Sequence, residues 1–405
     1  MMKKLIKNGN LYNSERNVFE KKDILINNGI IEKIGIIEDV TDASVIDATG
    51  LLVVPGLIDF HAHVYPLKPL PYNSLNPVDP DACCFSSGVT TVVDAGTSGW
   101  RDFVSFKENV IDKSKVRIFA FLNVSRRGML DLEGENDVSN LDPQLTASYI
   151  KSFSDCLVGV KTAHYWTTKP FDDLHPMWAS VDAAIEAGEL SGTRVMVDFY
   201  PNLPQRTYPD MLKRLRKGDI HTHMYAPQFE IIEKDGSVAP FIWQAREKGI
   251  LFDVGHGGVS FVFRNAIPAI QAGHTPMVIS SDLYTNNIMG PVFSLLEVMN
   301  KFLNMGLSLE DVLQRVTIAP ARILGKNYIG VLKPGLPADI AFLQKRDEDC
   351  SFIDGGYARI KGNSRLECKA TMKDGDFVFN PNGYGCVAWE NAPAEYWTKN
   401  CRIKY

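Results

Sequence analysis

Leu51-Leu52-Val53-Val54-Pro55-Gly56-Leu57-Ile58-Asp59-Phe60-His61-Ala62-His63 is the stretch on which the fold turns. A nearly continuous apolar run cut by Pro55-Gly56 reads as a buried strand with a break, so the histidines lie where one element hands over to another. Residues two apart on a strand point the same way. His61 and His63 therefore aim at one point from a rigid support, which makes them a candidate metal clamp. An HxH can also be two surface histidines, but the apolar flank argues against that reading.

Outward from this stretch the punctuation alternates strand, loop and helix. Candidate strands follow at Thr90–Gly96, Val116–Val124, Cys156–His164, Arg194–Tyr200, Asp219–Tyr225, Ile250–His256 and Pro276–Asp282, with helical stretches such as Asp182–Ala187 between them. Repeated βα units imply a parallel sheet, and in a closed one the working residues gather at the C-terminal strand ends. Upstream, Lys4–Gly9, Asp23–Gly29 and Ile31–Gly35 read as short strands separated by Asn-Gly turns.

Composition bounds the rest. At 405 residues the chain is long enough for one large domain and a minor one. A net charge of −5 is the wrong sign for a nucleic-acid footprint. No run approaches a membrane span, and MMKKLIKNGN lacks the apolar core of a secretory signal. Seven cysteines without zinc-like CxxC spacing fit a reducing cytoplasm, and adjacent Cys83 and Cys84 read as packing residues.

Two further residues carry chemistry. Lys161 ends an apolar strand, where burial lowers an amine's pKa and leaves it nucleophilic enough to add carbon dioxide; the bland alternative is a lysine snorkelling to solvent. Asp282 ends the last strand and is a candidate metal ligand and general acid/base; the lesser alternative is a helix N-cap, a role that can coexist with the first.

Pro55-Gly56-Leu57-Ile58-Asp59-Phe60-His61-Ala62-His63 resembles the first-strand signature of the amidohydrolase superfamily. Gly330–Ile340 is similar to the return strand of the small sandwich domain in dihydroorotase, hydantoinase, isoaspartyl dipeptidase and D-aminoacylase relatives. Gly159-Val160-Lys161, Val195–Asp198, Thr222-His223 and Phe252–Gly258 resemble the strand ends of its amidohydrolase/deacetylase branch. The fold implied is α/β, a (β/α)8 TIM barrel over 56–330 with a small β-sandwich built from both chain ends, 1–55 and 331–380. Residues 381–405 form a C-terminal extension with no counterpart in the resemblance.

The resemblance also implies a site. One or two zinc ions would be held by His61, His63, Lys161 as a carbamate, His223 and Asp282. A bridging hydroxide would attack an amide, ester or cyclic amide carbonyl, with Asp282 shuttling the proton. His256 matches a strand-7 histidine, read as positioning substrate or hydroxide or as a satisfied core histidine. His221 is read as core or ligand-orienting rather than as an extra ligand, and His175 and His274 as solvated.

Asp198 is the departure: the usual pattern ends the fifth strand in histidine. Aspartate can ligate zinc through oxygen, but it would cancel the single net positive charge the usual set leaves on the centre. The expectation is a two-metal site with Asp198 as ligand.

Substrate contacts are expected from His164, Tyr165, Arg126 and Arg206, an arginine being suited to a carboxylate. That fits an N-acyl amino acid, an acylated hydroxy acid or a cyclic ureide as the small-molecule partner. Two other readings stand beside this one, a mononuclear deaminase that does without carboxylated Lys161 and an inactive hydantoinase-like scaffold. Relatives of this kind commonly form homo-oligomers.

Overall fold

Three sheets account for the strands of the computed structural model, which describes residues 3–38, 40–65, 76–129, 134–166, 169–201 and 204–392. The largest is all-parallel. It runs Leu57–Ala62, Val89–Gly99, Arg117–Asn123, Leu157–Thr162, Arg194–Val197, Ile220–His221 and Leu251–Phe252, each strand pairing with the next. The segment expected as an eighth strand makes only isolated parallel bridges. These tie it to both edges, Asp253 to Val278 on one side and Ala62 to Leu283 on the other. Strands six and seven shrink to two residues each.

Apolar residues from successive strands meet on one side of this curled sheet. Ile58, Phe60, Val93, Ala95, Phe119, Phe121, Met196, Ile220 and Val278 form one buried cluster, closed by Ala321 and Ile329. Phe60 and Phe121 meet edge to face at 5.9 Å. A plug of this kind lets side chains at the strand ends stand on a rigid floor. Helices return the chain between strands, with starts and stops fixed locally. Asp142 caps Pro143–Ser152 by accepting from Leu145 N, and Gly192, at φ 71°, ends Ala179–Ser191.

The other two sheets draw on both ends of the chain. One orders Ile30–Gly35, Asp23–Asn27, Lys3–Lys7 and Ala43–Asp47. The second orders Asp376–Phe379, Arg359–Lys373, Ile340–Ile353, Leu52–Pro55, Asn10–Asn13 and Val18–Lys21. Ile6, Ile24, Ile26, Leu11, Val53, Ile340, Phe342 and Met372 share one core between them. Asn28-Gly29 makes the two-residue turn its sequence suggests, both residues at positive φ and Asn27 paired with Ile30.

The hairpin Ile340–Ile353/Arg359–Lys373 outgrows its sheet and packs on the helix Leu295–Asn304. Asn300 Nδ2 donates to Leu366 O while its Oδ1 accepts from Leu366 N. Among the described residues, no helix is long and apolar enough to cross a membrane.

Candidate active site

Backbone hydrogen bonds bring the site together. Asp282 N donates to His61 O at 2.6 Å and His63 N to Leu283 O at 2.9 Å, which holds residues 282 and 283 beside the histidine pair. Asp59 reinforces the join by accepting the Ser281 hydroxyl and, at 3.0 Å, the Ser281 N–H. Asp282 Oδ1 consequently lies 3.1 Å from His63 Nε2 and 3.4 Å from His61 Nε2. The ligand atoms of all three fall within 4.8 Å of one another.

Asp282 and His223 both adopt left-handed backbone, at φ 51° and 60°. Such strain costs about 1–3 kcal/mol per residue and persists where the surroundings fix it. The alternative of Asp282 as a helix N-cap does not hold, since the next helix begins only at Leu295.

The imidazoles are oriented from behind. Thr97 Oγ1 donates to Asp94 Oδ2 at 2.8 Å, so it accepts from His63 Nδ1, also at 2.8 Å. Thr222 and Asp253 do the same for His61 Nδ1, at 2.9 and 3.1 Å. His223 Nδ1 lies 2.5 Å from the Gly255 carbonyl, which can only accept. In each ring the proton belongs on Nδ1, leaving Nε2 as the free ligand atom when the ring is neutral.

Burial, then the nearby Lys161, holds His61 well below the usual histidine range, which favours that neutral form. His223 differs. Burial alone would lower it, but Asp198, with Oδ2 at 3.4 Å from Nε2, outweighs burial and pushes it up to about 9. The same pairing overcomes burial at Asp198 and keeps its carboxyl well below the ordinary range.

Lys161 is fully buried. Its Nζ faces the Met196 thioether at 3.7 Å, a poor acceptor for an ammonium, and burial lowers its pKa despite Asp198 and Asp282. Gly96, at φ 82°, makes room for it: a Cβ there would come within 2.4 Å of Lys161 Cβ. The bland snorkelling alternative therefore fails.

These groups line a cavity of about 210 Å³ together with His164, Met129, Trp166, Gly258, Val259, Ser260, Tyr284 and Asn286. His164 is buried, held at about 4 chiefly by burial, and its ring lies 4.5 Å from Trp166.

Residues 261–378 match the Amidohydrolase family. A deacetylase from Brucella anthropi is 28% identical over 349 residues, covering 84% of this chain and 83% of its own. A solved adenine deaminase superposes with a TM-score of 0.81 at 26% identity, covering 93% of this chain and 99% of that one. A solved dihydroorotase gives 0.79, also at 26%, with the same coverage. These likenesses, to deacetylases in sequence and to an adenine deaminase and a dihydroorotase in structure, are all to amidohydrolase-type proteins.

The structure gathers His61, His63, Lys161, His164, Asp198, His223 and Asp282 around one cavity and sends other candidates elsewhere. His256 does not line it: its Nε2 meets Lys301 Nζ at 2.7 Å, its Nδ1 the Gly257 carbonyl at 2.9 Å, and its ring stacks on Phe261. It is the satisfied core histidine of the two alternatives, because a buried lysine from the helix Leu295–Asn304 claims its outer nitrogen.

Arg126 is exposed and does not line the cavity. Arg206 is buried, donates to the Tyr165 and Tyr200 carbonyls, and stacks over Phe199 at 4.6 Å, so it ties loops together rather than meeting substrate. Tyr165 is likewise structural, its hydroxyl donating to Pro176 O.

His175 and His274 are buried, not solvated. His175 stacks on Phe171, and His274 packs edge-on against Phe252. His221 is a core residue against Tyr208 and Phe229.

Asp94, Thr97, Thr222 and Asp253 are assigned no role from the sequence. A signal was present. Asp94 and Asp253 stand inside strongly apolar strands, where a carboxylate survives only with a dedicated partner.

Proposed function

We propose that this chain is a metal-dependent hydrolase that cleaves the amide, ester or cyclic amide bond of a small acyl substrate. Asp282 carries the reading. Its Oδ1 is buried and lacks a hydrogen-bond partner among the described residues, although two imidazole Nε2 atoms stand beside it. An unpaired buried carboxylate oxygen facing two nitrogen lone pairs fits a cation and little else.

His61, His63 and Asp282 would hold one ion. His223, Asp198 and Lys161, the last as a carbamate, would hold a second, with zinc suited to this donor set. When bound, the metal supplies Lewis acidity at the carbonyl and acidifies water. The chain's own residues do the rest. Asp282 accepts the proton of the attacking water and returns it to the departing nitrogen or oxygen. His164, its Nδ1 without a partner among the described residues, offers the substrate a hydrogen bond. Trp166 and Met129 supply apolar wall.

A volume of about 210 Å³ lies below the usual 300–1,000 Å³ of ligand pockets, which favours a compact acyl group. The deacetylase relative supports an acetyl or similar group. We further read the ring closed by Val278 and Leu283 as an eight-stranded (β/α)8 barrel, the chain-end sheets as its sandwich domain, and the compartment as cytoplasmic.

The test is metal analysis of purified protein, with turnover of N-acyl amino acids, aryl acetates and cyclic ureides. Lys161→Ala is expected to lose metal and activity together. Wild-type protein that binds no zinc and turns over nothing would return the inactive-scaffold reading.

The likeness to the adenine deaminase favours a second reading, a mononuclear deaminase using His61, His63, His223 and Asp282. It requires ammonia release from an aminopurine and retention of one metal by Lys161→Ala.

A further inference from the structure

The loop that closes one side of the cavity, Gly257–Phe261, is held by a part of the chain that is remote in sequence. At the tip of the long hairpin, Gly355 N donates to Phe261 O at 2.8 Å. Asp354, buried at 2% exposure, accepts the Phe263 N–H at 2.8 Å through Oδ2. Its Oδ1 accepts Gly356 N and Ala358 N at 2.9 and 2.8 Å, which makes the tip rigid in its own right.

Gly355 approaches so closely that a Cβ on it would lie 2.9 Å from Val259 Cα and 3.0 Å from Phe261 O, both backbone atoms. The neighbouring Gly356 has no such restriction. A Cβ there meets nothing nearer than 3.5 Å.

The same loop also lies close to Asp282 and Tyr284. A Cβ at Gly257 would come 2.5 Å from Asp282 Oδ2, and one at Gly258 would come 2.8 Å from Tyr284 Oη. Gly258, Val259, Tyr284 and Asp282 all line the cavity. The loop is thus closely packed at both ends of this connection, against Gly355 at Val259 and Phe261 and against Asp282 and Tyr284 at Gly257 and Gly258.

We propose that Asp354 and Gly355 are positioning residues for the cavity, fixing the loop Gly257–Phe261 against Asp282 and Tyr284 from the hairpin of the chain-end sheet. The inference rests on reading that cavity as the active site. Neither residue lines the cavity; Gly355 acts through Val259 and Phe261, and Asp354 through the Phe263 N–H. A shift of the loop by a few tenths of an ångström changes the room available to substrate beside Asp282 while leaving His61, His63 and Asp282 joined by their own backbone bonds.

The paired variants Gly355→Ala and Gly356→Ala, in full-length zinc-loaded protein, test this. Gly355→Ala is expected to raise KM about tenfold with a smaller fall in kcat, less than the ~10²-fold that a misplacement of about 1 Å can cost. Amide exchange across 258–263 should quicken, with zinc content unchanged. Gly356→Ala should stay within about twofold of wild type in every measure, since it meets only ordinary contacts.

Should Gly355→Ala not fold, Asp354→Asn decides, because it keeps the shape of the side chain and weakens the bond to Phe263. Faster exchange at Phe263 with a raised KM supports the proposal. Equal KM, kcat and exchange in Gly355→Ala and Gly356→Ala, or an unchanged Phe263 and KM in Asp354→Asn, overturns it. If wild-type protein turns over none of the substrates, the functional reading fails, while the exchange comparison still decides whether the hairpin holds the loop.

Discussion

Replacing Thr97 with valine removes one oxygen and almost no volume. That oxygen links His63 Nδ1 to Asp94 Oδ2 through two contacts of 2.8 Å. Asp94 survives the loss, because the backbone N–H groups of Val64 and Thr97 still donate to it at 2.9 and 2.8 Å. His63 does not, since its Nδ1–H is left buried without an acceptor. An orphaned buried donor costs about 1–3 kcal/mol, so metal-free Thr97→Val should lose roughly 2 kcal/mol in a urea titration.

The larger consequence is for the other ring nitrogen. With nothing to hold the proton on Nδ1, the imidazole no longer keeps Nε2 free toward Asp282 Oδ1 at 3.1 Å. Losing a partner that orients a ligand typically lowers metal affinity about 10–100-fold. Competition against a fluorescent zinc chelator measures that change directly. A variant that loses stability yet binds zinc within about twofold of wild type would refute His63 as a ligand, since the orienting bond would then serve packing alone.

Other outcomes follow from the same geometry. Asp282→Asn should reduce kcat about 10²–10⁴-fold in steady-state assays, the range for a lost acid/base group, and a smaller loss would move the proton to another residue. Arg206→Met should cost about 2–4 kcal/mol in thermal or urea unfolding while leaving KM unchanged, because it orphans two carbonyls at about 1–3 kcal/mol each and removes a cation from an aromatic ring; a raised KM would put it back in the pocket. The metal-free protein should be pH-sensitive in two directions. The His223 contribution is full below the unfolded value near 6.5 and is lost as pH rises through about 9, whereas the Asp198 contribution is present above pH 4 or so and is lost in acid. Melting temperature of chelator-treated protein across pH 3–10 checks both, and a flat profile between about pH 6.5 and 9 would contradict the His223–Asp198 pair.

Much of the site could be read from residue type and spacing. His61 and His63 announce themselves by period two at the end of an apolar run, and Lys161 by the cost of a charge in such a run. The Asn28-Gly29 turn needs only local φ preferences. The two later strand-end histidines could not be ranked that way. His223 and His256 sit in similar surroundings along the chain. One is a cavity residue because Gly255 O takes its Nδ1, and the other is core because Lys301 meets its Nε2. Arg206 misled for a related reason: an arginine after a strand looks the same whether its loop folds inward over aromatic rings or outward to a substrate.

The amino-acid sequence by itself determined the chemical inventory and the periodicities, since both depend on covalent identity and on local backbone geometry. It fixed which groups could ligate, donate or be costly to bury. Tertiary structure decided which of them meet. Asp282 reaches His63 only because backbone bonds and the Asp59–Ser281 contact join the two edges of the parallel sheet, and the cavity loop keeps its shape only because a distant hairpin glycine leaves room for it. Such proximities depend on how the whole chain packs, and no local pattern encodes them.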